Sequence, residues 1–143
     1  MPEAKADELR ETLAAHLRAL SDGEFVILGE PMRYAAAAGR FRHKPRPLPG
    51  RYVQYLRMGD DVAGECVGAT AFGGTWEISP ADSDRLRALG WQTPADQAGR
   101  DAGAPNYSID AARYDTPRLA QMGVDALGVL RAPLESLEFR HGS

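Results

Sequence analysis

Nucleophilic or acid–base chemistry needs a nucleophile, a base and a group that orients the base. The residues that could serve are His16, His43, His141 and Cys66. His16 falls inside a helix-like stretch, His43 in a basic segment and His141 in the C-terminal tail, and no Gly-x-Ser-x-Gly element surrounds any serine. Cys66 sits in a strand-like run, away from a helix N-terminus or an adjacent cation, which predicts a buried and inert thiol. These four groups are not expected to converge, so the sequence predicts no catalytic residues, no cofactor and no enzyme. Metal ligation needs convergent donors, and His-x-x-x-His, Cys-x-x-Cys and calcium-loop patterns are all missing. Asp60-Asp61 reads as a pair of hairpin-turn residues. Phe72-Gly73-Gly74-Thr75 has neither the spacing nor the lysine of a phosphate-binding loop.

What remains is binding. Arg40, Arg42, Lys44, Arg46 and Arg51 are clustered beside Phe41 and His43. Such a segment is either a solvated loop or an attractor for an acidic protein or for nucleic acid. Arginine forks suit bidentate contacts to carboxylate or phosphate. Pro45, Pro47 and Pro49 are spaced by two, so the Pro-x-x-Pro ligand pattern is not met. Trp91 follows a glycine that ends a helix and is expected to fold back onto it. Trp76, after the Gly73-Gly74 break, is the better tryptophan for a partner. The binding candidates are therefore Trp76, Arg40, Arg42, Lys44, Arg46 and Arg51.

Composition narrows the class. A chain of 143 residues is one domain, 1–143, and is long enough to bury a sizeable core. With 43% hydrophobic and 26% charged residues it is neither disordered nor fibrous. The purely apolar runs, such as residues 25–28 and 35–38, are far short of a membrane span. The polar N-terminal segment is no signal peptide, and one cysteine excludes an internal disulfide, so a cytoplasmic location is expected. A net charge of −3 makes nucleic acid an unlikely general partner.

The elements follow from periodicity. Leu9, Leu13, Leu17 and Leu20 form one stripe of a helix over 3–21. Phe25-Val26-Ile27-Leu28 reads as a short buried strand. Residues 34–41 are either a second strand or irregular, and residues 40–51 read as a loop whose prolines forbid regular pairing. Residues 52–58 and 62–69 form a hairpin about Gly59-Asp60-Asp61. Gly64 and Gly68 point to a bulge or a close backbone approach. Ser79 and Pro80 open a helix that Gly90 closes. Residues 106–113 read as a strand, Thr116 caps and Pro117 opens a last helix over 117–131, and the tail adds a short strand. Small residues Gly123 and Gly128 would let another element pack close to that helix. The expectation is an α+β fold, an antiparallel β-sheet flanked by about three helices in the order α-β-β-β-α-β-β-α.

Several of these segments together resemble one family. They are YVQYLRMGDDVAGECVGA, SPADSDRLRALGWQTP, PNYSID and GVLRAPLESLEF, and the most specific is LRALGWQTP followed by PNYS. The resemblance is to the TY-Chap family, which covers type III secretion chaperone-like and YbjN-like domains and is frequent in actinobacteria; it spans residues 3–139. It implies a curved antiparallel sheet flanked by helices, and a non-enzymatic chaperone or adaptor that binds a client polypeptide. The stretch 34–49 is a longer insertion than the resemblance leads one to expect. The alternative is a module for an anionic partner working through the basic segment 40–51. A homodimer is also expected, burying more than roughly 1,000 Å² through whichever sheet face the helices leave open.

Overall fold

The computed structural model describes residues 2–31, 33–35, 46–48, 50–67, 78–93, 107–112 and 115–143. The chain runs α1 (Pro2–Ala19), β1 (Phe25–Gly29), β2 (Arg33–Ala35), β3 (Arg46–Leu48), β4 (Tyr52–Met58), β5 (Asp61–Cys66), α2 (Pro80–Leu89), β6 (Tyr107–Ala112), α3 (Thr116–Val129), a 3-10 turn (Leu134–Ser136) and β7 (Glu138–Gly142). Five strands form an antiparallel sheet in the order β6-β5-β4-β1-β7, and β2 pairs with β3 separately. The fold is α+β, with three helices among the described residues, as expected. β7 is the strand expected of the tail, and it becomes the edge beside β1; of the two strands expected between α2 and α3, the described residues show β6.

A second difference concerns the proline segment. Arg46–Leu48 does pair, antiparallel to Arg33–Ala35, with Pro47 opposite Tyr34. Proline removes one donor but is tolerated where that side of the strand faces no partner. A two-stranded pair has such a free side on each strand, so the prolines do not forbid pairing there.

The helices gather on one face of the sheet. Leu9, Leu13, Leu17 and Leu20 are buried, as the periodicity predicts. They meet the inward side chains Val26 and Leu28 of β1, Val53 and Tyr55 of β4, and Val62 and Cys66 of β5. Tyr55 is the keystone of this layer. Its hydroxyl donates to the Leu119 carbonyl of α3 at 2.6 Å. A Cβ at Gly64 would lie 2.9 Å from its ring, and one at Gly123 would lie 2.5 Å from its oxygen. The two glycines thus make room for one aromatic ring between sheet and helix. Gly128 has no such neighbour, so the expected close approach holds for Gly123 alone of the two α3 glycines.

The ends of α2 are built as its sequence predicts. The Asp82 amide donates to Ser79 Oγ at 3.1 Å. At the other end Gly90 takes φ 113°, and the amides of Gly90 and Trp91 donate to the carbonyls of Arg87 and Leu86. This paired closure turns Trp91 back onto the layer. The ring is 1% exposed, and its indole N–H donates to the Met122 carbonyl at 3.2 Å.

The start of α3 differs by one residue from the sequence reading: Asp115 is the cap position, without a side-chain bond, and Thr116 is already helical. Its end uses the same closure as α2 but with a non-glycine, Arg131, at φ 61°. Arg131 reaches back to donate to Asp82 Oδ2 at 3.0 Å, tying the end of α3 to the start of α2. Its bond, first, and those from Ser79 hold the Asp82 carboxyl below its ordinary value of 3.8, against the opposing effect of burial. A carboxylate so lowered adds stability above its unfolded pKa, and that stability is lost as pH falls through the folded one. We therefore expect Asp82→Asn to lower Tm at pH 7 and to flatten the fall of Tm below about pH 4. Thermal melts across that range check it; an unchanged acid limb contradicts the pairing.

Candidate functional site

Three of the groups singled out for chemistry, Cys66, His16 and His141, lie among the described residues. Cys66 lies on β5, fully buried, and burial pushes its thiol up to about 12. At neutral pH it is a protonated, apolar filler. His16 and His141 do come together, contrary to the expectation from their sequence positions. β7 pairs with β1 and so carries His141 and Phe139 beside α1, where their rings lie 4.5 Å from that of His16. Burial, then the neighbouring His141, lowers the His16 pKa. Neither histidine ring makes a hydrogen bond or ion pair among the described residues, so the pair is a stacking contact without an acid to orient it. Among the described residues no group of three His, Cys, Asp or Glu side chains could hold a metal ion. No described helix is long and apolar enough to cross a membrane.

Of the binding candidates, Trp76, Arg40, Arg42 and Lys44 lie outside the described residues, as do His43 and Gly68. Arg46 is on β3. Arg51 faces Glu30 at the end of β1: its guanidinium donates at 3.0 Å and its amide at 2.7 Å to that carboxylate. That ion pair fixes the entry into β4.

Two surfaces among the described residues stand out as places for a ligand. The first is the sheet face opposite the helices, where no described helix lies. Strand alternation puts Phe25 and Ile27 of β1 and Leu56 and Met58 of β4 on it. Phe25, Ile27 and Leu56 are half-buried, and Met58 is the one large apolar side chain among the described residues that is exposed, at 50%. The register makes straight cross-strand rows. One runs Gly142–Phe25–Leu56–Ala63 and the next Arg140–Ile27–Gln54–Glu65. The second surface is a groove of ≈ 560 Å³ over the helical layer, lined by Ala6, Leu89, Val124, Val129 and Leu134. Its rim is closed by an ion pair of 2.6 Å between Arg10 and Asp125. The hydrogen bond to Asp125 raises the Arg10 pKa, so this cation is already spent within the fold.

A family model described as T3SS (YopN, CesT) and YbjN peptide-binding chaperone 3, TY-Chap3, matches residues 4–136. The chain belongs to the TY-Chap3 family. Comparison with curated proteins and with solved structures finds no match. The family match agrees with the resemblance carried by the hairpin, the LRALGWQTP segment and the tail. For the TY-Chap3 fold here, Trp91 in that segment proves to be a core residue and not a contact residue.

Sequence reasoning expected a sheet face left open by the helices but did not place Phe25 and Ile27 on it. Phe25-Val26-Ile27-Leu28 reads as a continuous apolar run, which hides that only Val26 and Leu28 face the helices. The alternation of apolar residues on both sides of 52–58 was the signal that one face would stay apolar and open. Arg140 has no signal of its own, because only the pairing of β7 with β1 brings it beside Ile27.

Proposed function

We propose that this chain is a non-enzymatic chaperone or adaptor that holds a client polypeptide on the helix-free face of its sheet. The family description supplies the class of partner. One observation carries the choice of surface: Phe25, Ile27, Leu56 and Met58 line up on a face that no described helix covers. An extended client presents every second side chain at roughly 6.8 Å spacing, which is the spacing of the sheet's own rows. The absence of catalysis in this reading is supported by a thiol that stays protonated and by histidines without an orienting acid. The same reading keeps the protein with its clients in the cytoplasm. A second copy of the chain is the competing occupant, since two-fold pairing is the commonest way to bury such a face.

The test is fluorescence anisotropy with a labelled, unstructured apolar peptide. Leu56→Glu is expected to abolish binding, and Val129→Glu, in the helical groove, to leave it unchanged. The reverse pattern moves the site to the helices. Binding that vanishes in high salt and depends on Arg40, Arg42 and Lys44 supports the anionic-partner alternative instead.

A further inference from the structure

We infer that the open face selects clients carrying a carboxylate two residues from an apolar side chain, and that Arg140 receives it. This rests on the client-binding reading above.

Among the described residues four arginines are half-buried: Arg10, Arg51, Arg57 and Arg140. Arg10 pairs with Asp7 and Asp125, and Arg51 with Glu30. Arg57 donates to the carbonyls of Gly59 and Leu20. Among the described residues the Arg140 side chain has no ion pair or hydrogen bond, and its Nε is buried without an acceptor. The buried Nε atoms of Arg10 and Arg51 are also unmatched, but their guanidiniums are otherwise engaged. Arg140 alone of the four has a guanidinium with no protein acceptor among the described residues. A half-buried cation without an acceptor in the free protein calls for one from outside.

The register says what that acceptor accompanies. Arg140 stands opposite Ile27, and Gly142, two residues on, stands opposite Phe25. The Phe25 ring lies over Gly142, so the apolar surface that starts at Ile27 continues in the row next to the cation. Among the described strands the acids nearest to it by register on the same face are Glu138, two residues back on β7, and Glu65, three strands away in the same row. Neither pairs with Arg140. A client strand lying over β1 therefore sets one side chain on Phe25 and Leu56, and the one two positions away beside Arg140. A carboxylate there is favoured, because a planar guanidinium binds it with charge-assisted hydrogen bonds. A lysine or arginine there would be repelled.

The experiment uses the intact chain and labelled peptides of alternating valine and serine, with one central valine replaced. The glutamate probe is expected to bind about tenfold tighter than the glutamine probe. Moving the glutamate by one position, onto the serine side, should remove that gain. Arg140→Gln should erase the difference between the two probes, and Arg140→Glu should prefer a lysine probe. The peptide arms leave the protein untouched, so they decide the matter even if a variant folds poorly. Equal, tight binding of glutamate and glutamine probes overturns this inference and leaves the client reading standing. If no probe binds, and sedimentation shows a dimer sealed through this face, both fall.

Discussion

Replacing Trp91 with alanine lowers the free energy of unfolding by about 3–5 kcal/mol, the usual range for removing a buried aromatic. For a chain of this size that is a fall in Tm of roughly 10–17 °C. The ring is 1% exposed, sits 6.4 Å from the Tyr55 ring, and donates to the Met122 carbonyl. It therefore joins α2, β4 and α3 at one point. Trp91→Phe should recover most of the loss, since it restores ring volume but not the indole donor. Urea titration of the two variants checks this; a loss under about 1 kcal/mol for alanine would place the ring outside the core.

The second large effect runs against helix propensity. Alanine is the better helix former by about 1 kcal/mol, yet Gly123→Ala is expected to destabilise by about 1–3 kcal/mol through overpacking. Its Cβ would lie 2.5 Å from the Tyr55 oxygen and 3.3 Å from Leu13 Cδ2. Tyr55→Phe removes that oxygen, so the double variant should be more stable than the sum of the single losses predicts. A coupling of about 1 kcal/mol or more between the two sites is expected from residues in direct contact. Strict additivity would mean that the hydroxyl and the glycine do not share that space.

Elements with strong local signals were legible from the residues. The leucine stripe of α1, the Ser79 and Gly90 punctuation of α2, and the Gly59 hairpin each depend on contacts within a few residues. The fold-back of Trp91 was readable for the same reason. What the sequence does not carry is long-range pairing. Nothing local says that residues 138–142 join β1, yet that pairing places Arg140 on the open face and brings His141 to His16. The β2–β3 pair was hidden by a rule about prolines that applies to interior strands and not to a free edge. Trp76, Arg40, Arg42 and Lys44 were prominent in the sequence, but the described part of the fold does not include them. Arg51 looked like part of a binding run until β1 brought Glu30 beside it.

The central claim is that clients sit on the helix-free face of the sheet. Methyl NMR of the protein, titrated with the valine–serine glutamate peptide, tests it most directly. The account predicts shifts at the methyls of Ile27, Leu56 and Met58, with Val124, Val129 and Leu134 in the helical groove unmoved. Shifts confined to Val124, Val129 and Leu134 would contradict it and place the client on the helices.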